Sequence, residues 1–384
     1  MKRWGWLFLL LVCSTTVLAQ KVVRFSSFET FSDEFPQLIK LSKEQKALFQ
    51  DSLLPAIQYS IDAEVEEDWV KLANNLIRKR INDPLQWEEL LRLIRYVSEN
   101  EEYGTVASLV NHLSGYSRSN PSSRIKDYIH QFYLNEVRHF FAENNEMVWK
   151  SPYSFWTLTF EQNTPVFVID EGDIIGTYRE DSTIVMSTSA KFYPERGELI
   201  AKGGTVFWSR VGKSDDELYG ELGDWSLDVN TPGFVADSAT LHAPDLYPEP
   251  MLGRFEERLS ARSAKSSQHP QFTSYKNTYL LRNVYQDVHF RGGLGVVGPQ
   301  YYGLSPDSAM ARVQFTYQGD TIITLKSGRF LFKDSLLSSQ RVEVIAHLGE
   351  DSIYHPYCEM RYDPRGGQVR IIRYKTGLGL SSFI

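Results

Sequence analysis

Residues 157–186 read TLTFEQNTPVFVIDEGDIIGTYREDSTIVM, and the class of fold turns on them. Thr157 to Phe160, Val166 to Ile169, Ile174 to Tyr178 and Thr183 to Met186 are short runs rich in β-branched and aromatic residues. Asn, Gly, Asp and Glu separate them. Such runs with such punctuation read as consecutive strands joined by tight turns. The pattern continues through Leu199-Ile200-Ala201, Thr205 to Trp208, Ser226 to Val229 and Thr240 to His242. After a polar linker, Ser260 to Gln268, it resumes at Thr278 to Leu281, Val284 to Phe290, Ala311 to Tyr317, Thr321 to Leu325, Val342 to Ala346 and Val369 to Tyr374. Many short strands with turns between them point to a sandwich, a barrel or a solenoid. An aromatic content of 13%, with 21 Tyr and 22 Phe, suits pleated, half-buried surfaces.

Upstream the period is helical. Ser42 with Gln45 forms a capping-box pattern that opens a helix over Lys43 to Leu54, with Pro55 as a stop or kink. Val65, Trp69, Leu72 and Leu76 share one face of a second helix. Asp83-Pro84 is an N-cap followed by a proline at the first helical position, and Trp87, Leu90, Leu91, Ile94 and Val97 form the stripe of a third. A weaker fourth helix spans about Thr105 to Leu113, and Ser117 to Ser123 reads as a loop. A fifth carries Ile125, Tyr128, Ile129, Phe132, Val137, Phe140 and Phe141 inward. The expected class is therefore α+β. A helical domain over 34–148 precedes a mainly antiparallel β region, jellyroll- or solenoid-like or a sandwich, in two parts at 150–259 and 269–384.

Residues 1–19 have the order of a cleavable signal peptide: Lys2 and Arg3, an apolar run over Trp4 to Val12, and Val17-Leu18-Ala19 before Gln20. The apolar run is too short for a spanning helix, which needs about 20 residues, and no later stretch is long and apolar enough. Export places the protein in the periplasm or at the outer membrane. Cleavage leaves Cys358 as the single cysteine, so no internal disulfide forms. It also removes two of the 41 basic residues against 48 acidic ones, moving the net charge from −7 to −9. That balance argues against nucleic acid or an anionic membrane surface as a partner.

Asp181-Ser182-Thr183-Ile184 leads to a turn after Tyr193, and Asp351-Ser352-Ile353-Tyr354 leads to one after Tyr362. The two hairpins are either rungs of a stacked β-jellyroll with an apolar interior or a chance similarity of turns. As rungs, they place Leu199 and Ala201 inward and Glu198 and Ile200 outward, with a further layer needed to cover Ile200. The segment Ala190 to Phe207, AKFYPERGELIAKGGTVF, is similar to the β repeats of OstA-like lipopolysaccharide-transport proteins. Gly203-Gly204 and Val206 occupy the closing positions of that repeat, and Pro194 stands where it carries Asp. Phe234 to Phe255 also resembles segments of long exported envelope proteins of Bacteroidota-type bacteria. The resemblance implies an envelope β-jellyroll without a catalytic signature, and partners among other envelope proteins or glycolipid. It also implies that this chain is shorter than its relatives, in keeping with the abrupt ending Thr376 to Ile384.

Few side chains offer chemistry. Asp170-Glu171-Gly172-Asp173, with Glu180 and Asp181, reads as solvated turns and does not match a calcium loop. His289, His347, His355 and Cys358 lack the spacing of a zinc site. The glycine-rich Gly292 to Gly298 precedes Pro299 and more β pattern, so it reads as a bend or bulge rather than a phosphate cradle. No catalytic set, metal site or cofactor is expected. Trp149, Tyr153 and Trp156 are the candidate ligand-binding residues, with Phe155 beside them. They form either a platform for sugar rings or a seam between domains. The expected function is a non-enzymatic envelope module that binds or bridges. The rival is a secreted polysaccharide-active enzyme or carbohydrate-binding protein. Mass spectrometry of the exported protein should find Gln20, or its cyclised form, at the N-terminus; an intact Met1 on exported material contradicts the signal-peptide reading.

Overall fold

The computed structural model describes residues 23–101, 103–144, 146–260, 268–305, 310–333 and 335–373. The expected signal peptide, linker residues 261–267 and the closing stretch from Tyr374 lie outside the described residues. The chain divides into two compact units. One holds the residues up to Arg138 with Leu158–Pro165, and the other holds His139–Thr157 and those from Val166 onward.

The first unit is helical. Its elements are α1 (Phe31–Leu38), α2 (Lys43–Leu48), α3 (Leu54–Ser60), α4 (Glu66–Arg78), α5 (Pro84–Asn100), α6 (Tyr103–Ser119) and α7 (Ser122–Arg138). Ser42 makes both bonds of its capping box, and Asp83 caps α5 through the Leu85 amide. Pro55 does not stop the chain: a π-helical turn over Phe49–Leu53 joins α2 to α3. A proline cannot follow the normal i−4 pattern, and a wider turn just before it absorbs the misfit. The fourth expected helix proves to be 17 residues long. Gly104 and Gly115 had weakened its signal, each costing helix propensity. The expected loop at 117–123 shrinks to Asn120-Pro121. Phe25, Phe31, Phe35, Phe49, Trp69 and Trp87 fill the centre, each at most 1% exposed. Phe35 stacks on Phe49 at 5.2 Å and meets Trp87 edge-on at 5.3 Å.

The helices end at Arg138, short of the expected 148. His139 has φ 53°, a left-handed conformation that breaks a helix. Phe140 and Phe141 therefore open a strand instead of closing a helix.

The described residues from Phe140 onward are mainly β. After β1 (Phe140–Asn144), β2 (Met147–Lys150) and β3 (Trp156–Glu161) come nine strands. They are β4 (Thr164–Tyr178), β5 (Asp181–Tyr193), β6 (Glu198–Lys202), β7 (Thr205–Phe207), β8 (Tyr219–Leu222), β9 (Asp224–Asp228), β10 (Gly233–Ala243), β11 (Tyr247–Arg258) and β12 (Gln271–Ser274). Nine more follow: β13 (Tyr279–Tyr285), β14 (Val288–Val297), β15 (Gln300–Leu304), β16 (Ala311–Tyr317), β17 (Asp320–Ser327), β18 (Arg329–Lys333), β19 (Leu336–Leu348), β20 (Asp351–Asp363) and β21 (Gln368–Arg373).

The second nine repeat the first strand for strand. In the first set β5 pairs with β6 through its C-terminal half and with β7 through its N-terminal half. Then β6 pairs with β9 and β7 with β8, and both routes end on β10. In the second set β14 pairs with β15 and β16, β15 with β18, β16 with β17, and both routes end on β19. β11 and β12 follow β10 as β20 and β21 follow β19. Every one of these pairings is antiparallel. β12 joins the two sets by pairing with β14.

Each long strand thus serves two ladders, and the ladders face each other across an apolar interior. Phe290 of β14 meets Phe332 of β18 at 5.2 Å, and Phe315 of β16 meets Tyr362 of β20 at 5.0 Å. Leu199 and Ala201 point inward at 0% and 3% exposure, while Ile200 is 46% exposed. The alternation is as expected, but Ile200 faces solvent and needs no covering layer. The Tyr193 and Tyr362 turns both close hairpins, β5–β6 and β20–β21, yet they are not counterparts. The counterpart of β5–β6 is β14–β15, and that of β20–β21 is β11–β12.

One buried carboxyl in the helical unit gives a pH test. Glu136 of α7 is 1% exposed, and its Oε2 has no hydrogen-bond partner among the described residues. Burial, reinforced by Glu101, pushes its pKa up from 4.5 to about 8. A folded pKa above the unfolded one means that stability is fully present below pH 4.5 and is lost as pH rises through 8. Glu136→Gln should remove that loss. In urea titrations its advantage over wild type should be absent at pH 4 and reach on the order of 5 kcal/mol at pH 9. A difference that does not change with pH contradicts the assignment.

Candidate functional site

The three candidate residues Trp149, Tyr153 and Trp156 do not form a platform. Trp149 is fully buried on β2, where its ring lies against Gly176 of β4. A Cβ at Gly176 would stand 2.3 Å from that ring, so only glycine fits. The Trp149 indole donates to the Thr231 carbonyl at 3.0 Å. Trp156 is 5% exposed, stacks on Phe141 at 4.8 Å and donates to the Ser151 carbonyl. Tyr153 and Phe155 face solvent at 86% and 71%. Two of the three residues are core, because large aromatics gain most from burial.

The other constellations also disperse. His289 accepts from the Asn283 amide and lies 3.4 Å from Thr316 Oγ1, while His347 meets Thr324 at 3.2 Å. His355 Nδ1 lies 3.2 Å from the Cys358 sulfur, whose thiol burial pushes upward in pKa. Among the described residues no group of three or more His, Cys, Asp or Glu is placed to hold a metal. The glycine-rich stretch runs straight through β14. Its neighbours change there from β13 and β16 to β12 and β15.

Sequence reasoning missed a buried ionic cluster. Arg210, in a 3₁₀ turn over Ser209–Val211, donates to Asp181 Oδ1 at 2.6 Å and to Glu257 Oε1. The two carboxylates are 0% and 1% exposed. Thr183 donates to Glu257 Oε2 at 3.0 Å, and the Ser260 amide donates to Asp181 Oδ2 at 2.8 Å. Burial pushes the Glu257 pKa up, and the Arg210 charge opposes it. The cluster fixes the start of β5, the 3₁₀ turn and the end of β11 to one another. A cleft of about 320 Å³ borders it at Thr183 and Arg210, but the bonds described for the cluster all join protein groups to one another, which makes it a structural clamp.

The feature best shaped for a ligand is a cleft of about 710 Å³ on the outer face of the ladder formed by β15, β18, β19 and β20. Tyr302, Leu331, Ser338 and Arg361 cross it in register, strand to strand. Arg329 lies over the Tyr302 ring at 3.6 Å. Arg341 occupies the bulge between Ser339 and Val342 with φ 57°. Among the described lining residues Glu359 is the one acid, 2.7 Å from Arg361. A second cleft of about 620 Å³ lies in the helical unit and is lined by Arg24, Lys71, Arg78 and Arg118, the last three of which are engaged. Lys71 pairs with Glu67 at 2.8 Å, Arg78 donates to Asn75, and Arg118 donates to Ser114.

Comparison with family models, curated proteins and solved structures gives no match. No helix among the described residues is long and apolar enough to cross a membrane.

Arg210→Met should cost about 3–5 kcal/mol of stability, because it leaves two carboxylates buried without their cation. Equilibrium unfolding in urea measures it. A loss below about 1 kcal/mol, the scale of an exposed pair, contradicts the burial argument.

Proposed function

We propose that the chain is an exported, non-enzymatic cell-envelope protein, a β-repeat module that binds or bridges other envelope components, glycolipid among them. The observation that carries this reading is the join between the two nine-strand sets. β12 lends its second edge to β14, with Gln271 opposite Val297 and Thr273 opposite Gly295. The architecture extends by adding a strand to the last edge. β21 stands where β12 stands in the first set, and among the described residues it pairs with β20 alone. Ile371 and Ile372 on β21 are 39% and 40% exposed, and Tyr354 and Tyr357 on β20 are 56% and 64% exposed. An apolar strand edge of this kind is a template for strand addition. The partner it suits is an antiparallel strand of a further β set, carried by another envelope protein. The likeness of Ala190–Phe207 to OstA-type repeats supports the same reading.

A photo-crosslinking residue at Ile372 of the exported protein tests it. A discrete adduct with an envelope protein is expected there, and none from Tyr59, which is 84% exposed on α3. No adduct at Ile372, or the same adducts at Tyr59, contradicts the reading. So does polysaccharide cleavage by the purified protein.

A further inference from the structure

The two nine-strand sets share a backbone register, which permits a position-by-position comparison of their outer faces. On β10 the bulge falls between Ala236 and Ala239, opposite Phe255 and Gly253. On β19 it falls between Ser339 and Val342, opposite Met360 and Cys358. Both bulges leave out two residues on one strand and one on the other. Glu256 therefore corresponds to Arg361, and Ser238 to Arg341. The pairings of β9 with β10 and of β18 with β19 match Ser226 to Leu331, and so Asp224 to Arg329 and Asp228 to Lys333.

The charge is inverted between equivalent sites. The first set carries acids where the second carries Arg329, Lys333 and Arg361. The same backbone accepts either sign, so the arginines are not a demand of the fold. They also run against the whole chain, whose net charge is −7. In the first set Asp237 lies 3.6 Å from Arg254 and Glu256 lies 3.6 Å from His269, so acid meets base. In the second set Arg329 rests on an aromatic face, which leaves its N–H edge available, and Glu359 offsets only Arg361. Ser338 and Gln340 add neutral donors along the same cleft.

We propose that this cleft is a binding site for a phosphate-bearing ligand. Guanidinium groups pair with the oxygens of such groups in a fork geometry. A cleft of about 710 Å³ is within the size range of sites for small ligands. The aliphatic floor at Leu331 and the Tyr302 ring provide the apolar wall on which the rest of the ligand packs. The inference deepens the binding-module reading and rests on it. Its failure leaves the crosslinking result at Ile372 untouched.

Titration calorimetry of the mature chain with tripolyphosphate is the test, with flotation on phosphatidylcholine vesicles containing phosphatidic acid as a second arm. Saturable, salt-sensitive tripolyphosphate binding is expected, weakened at least tenfold by Arg329→Gln with Arg361→Gln and unaffected by Arg365→Gln on the β20–β21 turn, which is not among the lining residues. These side chains are on the surface, and an unchanged circular dichroism spectrum confirms the fold. Flotation lost in the same double variant identifies a lipid headgroup as the source. Tripolyphosphate binding without flotation identifies a soluble phosphate compound. No saturable binding, or equal binding by the double variant, overturns the proposal. Sedimentation showing that the double variant abolishes self-association overturns it too, since the cleft is then filled by the acidic face of a second copy.

Discussion

The bulges in the long strands are the constraint on which the β unit depends. A strand that serves two facing ladders has to point its apolar side chains toward the same interior from opposite sides. Side chains alternate with a period of two, and in β5, β10 and β19 the inward set changes parity at the crossing. On β10 the buried residues are Phe234 and Ala236 before the bulge and Ala239, Leu241 and Ala243 after it. On β19 they are Leu337 and Ser339, then Val342 and Val344. On β5 they are Thr183 and Val185, then Ala190 and Phe192, with Ser187 at φ 52° between them. One extra residue converts the parity and adds local bend and twist.

β14 solves the same problem differently. Val288, Phe290, Leu294 and Val296 are all buried, so its parity never changes. Glycine makes the crossing possible instead. A Cβ at Gly292 would lie 2.7 Å from Ala311 and Phe290, and one at Gly295 would lie 2.4 Å from Leu304. The neighbours close in on the bare backbone, and the strand passes from one ladder to the other without an added residue. The glycine run is thus neither the bulge expected from the sequence nor an anion cradle. It is the place where two ladders pack against one chain.

These crossings also explain how much the sequence reveals. The helices were legible because Trp69, Leu72 and Leu76, or Trp87, Leu90 and Ile94, keep one period along one element. The strands were legible as fragments. Thr183 to Met186 is only part of β5, because the parity change at Ser187 interrupts the alternation that would reveal Asp181–Tyr193 as one strand. The repeat was illegible because its equivalence lies in register and bulge position, while Glu256 and Arg361 have opposite charge. The hairpin echo at Tyr193 and Tyr362 reflects similar turns at different places in the repeat. The Trp149–Trp156 cluster was visible, but its burial depends on Gly176 and Thr231, which no local pattern connects to it. Nor can spacing reveal that Asp181, Arg210 and Glu257 meet.

The repeat further separates what the ionic cluster does from what the fold needs. In the second set the position of Thr183, which donates to Glu257, is taken by Val288 and that of Glu257 by Tyr362, which are 1% and 5% exposed. The excursion that carries Arg210 between β7 and β8 has no counterpart, since β16 turns into β17 through Gln318-Gly319. Apolar packing, with Phe315 against Tyr362 at 5.0 Å, occupies the site where the first set has charges. A buried ion pair exchanged for well-packed apolar groups is often neutral or favourable, so the nine-strand architecture does not require the cluster. What the cluster adds is attachment. It fixes the 3₁₀ turn and the chain leaving β11 to the start of β5, and it does so only in the set that has such an excursion to hold.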